Sequence, residues 1–167
     1  MQKTLELAAV LAMVMSGSAL ADTTFTAASG PKCKDESKPE FGLWTCPGPA
    51  GYAVRFADEG NMVSVTLAPS ALVAKAESTA QWRGAGKAFG DKVQWIMRGG
   101  APRAAVIRTW RRQDDDEREI QELSGFAIDG PKACAYAAVD IHLAKANEAA
   151  LARAEEAADS RCPKRVD

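Results

Sequence analysis

The residues with the clearest potential for catalysis centre on the one histidine of the chain. His142 follows Asp140 by two positions, so the two side chains can lie on the same side of a strand end. A pair of this kind can bind a metal ion or act as a general base. The competing interpretation is a surface histidine at a strand-to-helix junction, because no third ligand or nucleophile stands at a recognisable spacing. We therefore assign no catalytic residue and no metal site, and we keep Asp140 and His142 as candidates.

The sequence lacks the short motifs of well-known enzyme sites. It contains no G-x-S-x-G, H-E-x-x-H, P-loop or G-x-G-x-x-G pattern, and no cofactor is predicted. Two carboxylates that act together on a glycosidic bond need not be close in sequence. A carboxylate-dependent cell-wall hydrolase therefore stays open as an alternative function.

A second group of residues suits ligand binding. Basic and aromatic side chains cluster in one region of the chain, and the candidates are Trp95, Arg98, Arg103, Arg108, Trp110 and Arg111. Arginine holds a carboxylate or phosphate through two hydrogen bonds, and tryptophan stacks on flat ligands or cations. The competing interpretation is structural, with arginines paired to glutamates across strands and tryptophans in the core. We take the six residues as a candidate shallow site for an anionic or glycan ligand.

The first 21 residues have the pattern of a secretory signal peptide. Lys3 gives the start of the segment a positive charge, and Leu7 to Met15 form an unbroken apolar run of nine residues. The sequence Ala19-Leu20-Ala21 fits a cleavage site. The run is too short to span a bilayer, which takes about 20 residues. We expect cleavage after Ala21 and a soluble mature chain, periplasmic or secreted, with no stable membrane insertion after cleavage.

Length and charge restrict the class of protein. Removing 21 residues from 167 leaves 146, which suits one domain. The signal segment carries one basic and one acidic residue, so the net charge of −1 is unchanged by its removal. This balance argues against bulk attraction to nucleic acid. We divide the chain into the signal peptide (1–21), a polar N-terminal loop segment closed by a disulfide (22–50) and one α+β domain (51–167).

The mature chain has four cysteines, Cys33, Cys46, Cys134 and Cys162. An exported chain favours disulfides, and four cysteines allow three pairings. We favour Cys33–Cys46 and Cys134–Cys162, because each pair closes a local loop. A helix predicted from about Glu148 to Ser160 supports the second pair. The stripe of small residues on this helix continues to Cys162, which directs the Cys162 thiol toward the sheet.

Alternating apolar and polar residues predict the sheet. Runs near residues 52–57, 62–67, 92–97, 104–112 and 134–141 have a period of two, separated by glycine-rich or acidic turns. The fold class is therefore α+β: an antiparallel meander of five or six strands with a C-terminal helix packed on one face, stapled by disulfides. The segment between Pro69 and Gly90 is ambiguous, with a possible short helix followed by glycine-rich loop.

The hairpin around residues 114–116 has a testable register. A three-residue loop there pairs Trp110 with Ile120 and Ile107 with Leu123, which places apolar residues opposite one another. The same register pairs Arg108 with Glu122 and Arg111 with Glu119. We prefer this register to that of a two-residue loop.

Short segments spread over residues 33–162 carry a further signal. They are Cys46-Pro47-Gly48 with Gly51-Tyr52; Lys92 to Trp95 running through Gly99-Gly100 to Ala104 to Arg108; and Cys134, Val139-Asp140, Asn147, Glu148, Leu151, Ala152 and Cys162. In these segments the chain resembles a group of small exported proteins of alphaproteobacteria. The resemblance implies export and paired cysteines, and it transfers no activity and no site residue.

The absence of a nucleophile–base arrangement beside an Arg/Trp-bearing sheet favours binding over catalysis. We expect a non-enzymatic periplasmic binding or interaction module, whose partner is an envelope protein or glycan and not a nucleic acid.

Overall fold

The computed structural model describes residues 22–113, 115 and 117–162, so the predicted signal peptide lies outside the described part. The described residues form nine strands and one α-helix. The strands are β1 (Asp22–Ala27), β2 (Lys34–Asp35), β3 (Gly42–Pro47), β4 (Tyr52–Asp58), β5 (Met62–Pro69), β6 (Ala80–Arg98), β7 (Ala101–Arg112), β8 (Glu119–Asp129) and β9 (Lys132–Asp140). The helix is α1 (Ala146–Ala158). The α+β class is as predicted, but the strands outnumber the predicted five or six.

All strand pairs are antiparallel, and β2 to β9 are neighbours in chain order. Strand β6 is shared between two sheets: its first residues pair with β5, and residues 84–98 pair with β7. We call β2–β5 with the start of β6 the first sheet. The second sheet contains the rest of β6 with β7, β8 and β9, and β1 pairs with β6 at its other edge.

The main core lies between the inner faces of the two sheets. Phe56 from the first sheet and Phe89 from β6 meet edge to face, with ring centroids 4.8 Å apart. Trp95, Ile107 and Phe126 from the second sheet belong to the same buried cluster. This packing is the usual way in which two half-apolar sheets remove their inner faces from water.

Helix α1 covers part of the outer face of the second sheet. Its buried residues are small: Ala150, Ala154, Ala157 and Ala158 pack against a cluster that includes Ile96. Alanine side chains let the helix approach the strands closely. The observed helix begins two residues before the predicted Glu148, and its alanine-rich stripe faces the sheet as expected.

The structure joins Cys33 to Cys46 and Cys134 to Cys162, the pairing favoured from the sequence. The first bridge ties the segment after β1 to β3. The second ties the chain after α1 to β9. The segment between β1 and β2 and the C-terminal end of the described chain are therefore attached covalently to the sheets.

The predicted register of the β7–β8 hairpin is wrong by one residue. Trp110 lies opposite Gln121 and Ile107 opposite Ser124, and the Gln113 amide donates to the Arg118 carbonyl at 2.9 Å. Two residues of the predicted turn, Asp114 and Asp116, lie outside the described residues. The observed register places Phe126 and Ile128 in the core between the sheets. A shift by one residue would turn both side chains to the opposite face, so their burial decides the register.

Two further expectations differ from the structure. The polar segment 22–50 contributes three strands. Strands β1 and β2 pair at sheet edges without an apolar pattern, and β3 directs Trp44 and Cys46 toward the core. In the ambiguous segment before Gly90, residues 70–75 form turns and no helix forms at residues 71–81, whereas residues 80–90 become the first half of β6. Two residues with positive φ, Gly86 and Ala88, bend β6 between the sheets.

Among the described residues, no helix combines the length and the apolar character that crossing a bilayer requires.

Candidate functional site

Strand alternation divides the six predicted ligand-binding residues among different places. Successive residues of a strand point to opposite faces of a sheet. Arg108 and Trp110, two positions apart on β7, share the outer face, whereas Arg111 points to the inner side. Trp95 lies in the core, and Arg98 and Arg103 lie at the end of α1. The structure therefore brings two of the six residues together.

Trp95 is fully buried and unavailable to a ligand. Its indole Nε1 donates a hydrogen bond of 2.8 Å to Thr26 Oγ1. A Cβ atom at Gly48 would lie 2.7 Å from the indole ring, so a glycine is needed beside it. The structural interpretation holds for this residue: its role is to fill the core.

Arg98 and Arg103 hold the C-terminal end of α1. The Arg98 guanidinium lies 3.2 Å from the Asp159 carboxylate, and Arg103 Nε donates to the Ala158 carbonyl at 3.4 Å. Cationic side chains at this end of a helix satisfy free carbonyls and interact favourably with its dipole. Through these contacts both arginines stabilise the end of the helix.

Arg111 is engaged in an ion pair across β7 and β8. Its Nε and Nη2 donate to the two carboxylate oxygens of Glu122 at 2.7 and 2.9 Å. The sequence-based register had paired Arg111 with Glu119, and the one-residue shift changes the partner. Arg111 lines an inner cavity, described below, on the other face from Trp110.

The remaining two residues, Arg108 and Trp110, belong to a shallow surface that we call the Arg108 patch. The patch also includes Phe25, Lys92 and Leu123, and its five residues border a depression of about 300 Å³. The patch exists because α1 is shorter than the strands beneath it. The helix has 13 residues and β7 has 12, so they span about 20 Å and about 40 Å respectively.

Arg108 stands at the middle of this patch. Its guanidinium carbon lies 5.2 Å from the centroid of the Trp110 ring, within cation–π distance, and Nη2 donates to Gln121 Oε1 at 3.2 Å. A Cβ atom at Gly90 would lie 2.9 Å from the Cβ of Arg108. Glycine at that position therefore leaves the space that the Arg108 side chain needs.

The patch combines exposed apolar area with unpaired positive charge. Phe25 is 58% exposed, which is unusual for a phenylalanine in a strand. Lys87 is paired with Asp91, but in the described part of the chain neither Lys92 nor Arg108 forms an ion pair. Two cations are therefore available beside aromatic rings.

Sequence reasoning missed Phe25 and Lys92, which belong to strands β1 and β6. Phe25 lies opposite Gln94 on the sheet, and Gln94 lies opposite Val106 of β7. Two strand spacings of about 5 Å thus separate Phe25 from β7. The one available signal was that Phe25 is the only large apolar residue in a threonine-rich segment.

Asp140 and His142 lie at the end of β9 and are exposed. Asp140 Oδ1 accepts hydrogen bonds from the His142 backbone amide at 2.8 Å and from His142 Nδ1 at 2.9 Å. The bond from the backbone amide, followed by that from the ring, holds the pKa of Asp140 below its ordinary value. A general base would use this carboxylate oxygen to accept a proton. In the structure the same oxygen is engaged in closing a local turn.

Among residues 22–113, 115 and 117–162, no group of three or more histidine, cysteine or acidic side chains is placed to hold a metal ion. Comparisons with family models, with curated proteins and with solved structures found no match to this chain. The Arg108 patch is therefore judged from its own geometry.

Proposed function

We propose that this protein is an exported, non-enzymatic binding module whose Arg108 patch recognises an anionic glycan. The observation that carries the proposal is the location of Arg108 against the Trp110 ring and near the exposed Phe25, with no ion pair to any described residue. An acidic sugar presents the matching groups, with a carboxylate for the guanidinium and apolar ring faces for the aromatic side chains.

The dimensions of the patch favour an oligosaccharide over a single sugar. Phe25 and β7 are two strands apart, about 10 Å. Arg108 lies between Phe25 and Trp110, so one ligand that touches both rings passes over the guanidinium. Lys92 adds a second cation along the same path.

The cell-wall hydrolase alternative receives no support from a specific observation. Its first candidate, Asp140, is exposed and already accepts two hydrogen bonds from His142. We therefore do not extend the proposal to catalysis.

The test is calorimetric titration of the protein with trigalacturonate, an acidic trisaccharide, and with the neutral maltotriose. We expect the acidic sugar to bind more tightly, and Arg108→Glu to weaken its binding at least tenfold. A hydrogen bond to a charged group contributes about 1.5–3 kcal/mol. The control is Arg153→Glu, at an exposed helix position outside the patch. Equal affinity for the two sugars, or equal loss in both variants, would contradict the proposal.

A further inference from the structure

A groove runs along the open side of the sandwich, between β9 and the chain that leads from β5 into β6. It consists of two cavities of about 650 and 320 Å³. Ala133 lines the first cavity and Ala135 the second, two positions apart on the inner face of β9. The two cavities are therefore neighbours along that face. They share no lining residue with the Arg108 patch.

The groove is lined mainly by apolar side chains. Its base is formed by Leu67 and Phe126, which are almost fully buried, and its first wall carries Leu72 and Trp82. The opposite wall is strand β9, which contributes mainly alanines together with Tyr136. The hydroxyl groups of Thr109 and Ser124 also lie there, but they bond to one another at 2.7 Å.

One end of the groove carries positive charge. Lys75 and Lys132 stand on opposite walls of the larger cavity, and both are exposed. Neither forms an ion pair with a described residue. Glu77 is the one acidic residue among the described residues that line the larger cavity, so two cations face one anion there; Arg111, in the second cavity, is paired with Glu122. An apolar groove with a cationic end matches a ligand that has an apolar chain and an anionic head.

We propose that this groove binds a long-chain carboxylic acid. The carboxylate lies between Lys75 and Lys132, and the alkyl chain follows Leu67 toward Trp82. Water leaves the apolar walls when the chain enters, and each methylene that is buried strengthens binding about fourfold. This site is separate from the Arg108 patch and does not depend on the glycan proposal.

The first measurement is calorimetric titration of the full chain with decanoate, dodecanoate and tetradecanoate, below the concentrations at which they form micelles. We expect the affinity to rise about fourfold for each added methylene. The methyl ester of dodecanoic acid should bind less tightly than dodecanoate, because it lacks the charge that the lysines recognise.

Two sets of variants locate the ligand. Ala138→Phe fills the second cavity from an exposed position on β9, and it should remove the advantage of the longer acids. Its matched control is Ala27→Phe, on the edge strand β1, which should leave that advantage intact. The charge of the larger cavity is tested in the same way. Lys75→Glu with Lys132→Glu should weaken binding threefold or more, and the control with the same change in net charge is Lys32→Glu with Lys38→Glu.

Three results would overturn the assignment: no binding of any acid, an affinity independent of chain length, or equal effects of the variants and their controls. Binding only by a chain that ends at Cys162 would also overturn it, since residues 163–167 would then be the occupant. Arg108→Glu should not change fatty-acid binding, so the failure of this proposal and that of the glycan proposal are distinguishable.

Discussion

The bridge between Cys134 and Cys162 should contribute more to stability than the other disulfide. It joins residues separated by 28 positions, whereas Cys33 and Cys46 are separated by 13. The entropy that a cross-link removes from the unfolded chain grows with the length of the closed loop, and it corresponds to about 3.6 and about 2.9 kcal/mol for these two loops. The longer loop also contains α1, whose alanine stripe buries little apolar area for each residue.

The assay is urea denaturation of two double variants, Cys134→Ala with Cys162→Ala and Cys33→Ala with Cys46→Ala, compared with the unmodified protein. We expect the free energy of unfolding to fall by about 3.6 kcal/mol in the first variant and by about 2.9 kcal/mol in the second. Adding a reductant should lower the stability of the unmodified protein but not that of a variant that lacks all four cysteines. A loss below about 1 kcal/mol in the first variant, or a larger loss in the second, would contradict the predicted dependence of stability on loop length.

Three further predictions concern the register, the patch and the turn after β9. Phe126→Ala should lower the free energy of unfolding by about 3–5 kcal/mol, because the side chain is buried between the sheets; an effect below about 1 kcal/mol in urea denaturation would contradict the register. Gly90→Ala should crowd Arg108 and weaken trigalacturonate binding in calorimetry, and unchanged affinity would count against the role of this glycine. The lowered pKa of Asp140 means that its bonds to His142 stabilise the turn at neutral pH and are lost as the pH falls through that pKa. In Asp140→Asn, the His142 amide signal should therefore lose its acid transition in NMR spectra, and its persistence would contradict this assignment.

The sequence predicted the helix and the Cys134–Cys162 pair from local periodicity, and the Cys33–Cys46 pair because both bridges then close local loops. The small-residue stripe of α1 continues to Cys162 in a period of about four, which predicted a thiol directed toward the sheet, although the observed helix ends four residues earlier, at Ala158. Strand alternation also predicts that Arg108 and Trp110 share a face and that Arg111 does not. Strand alternation alone would therefore have excluded Arg111 from the candidate site.

Other features depend on contacts between distant segments. The register of β7 with β8 is decided by the burial of Phe126 between the sheets, and the turn sequence does not contain that information. Phe25 joins the patch because β1 pairs with β6, which is almost seventy residues away in the chain. Trp95 and Trp110 look equivalent in sequence. Only the packing of the two sheets and the helix places Trp95 in the core and Trp110 at the surface.

The most direct test of the proposed function is an NMR titration of the labelled protein with trigalacturonate, with amide shifts followed residue by residue. We expect saturable shifts concentrated at residues 25, 92 and 108–110, with little change near Asp140 and His142. Shifts concentrated around those two residues, or no saturable shift anywhere in the spectrum, would contradict the proposed function.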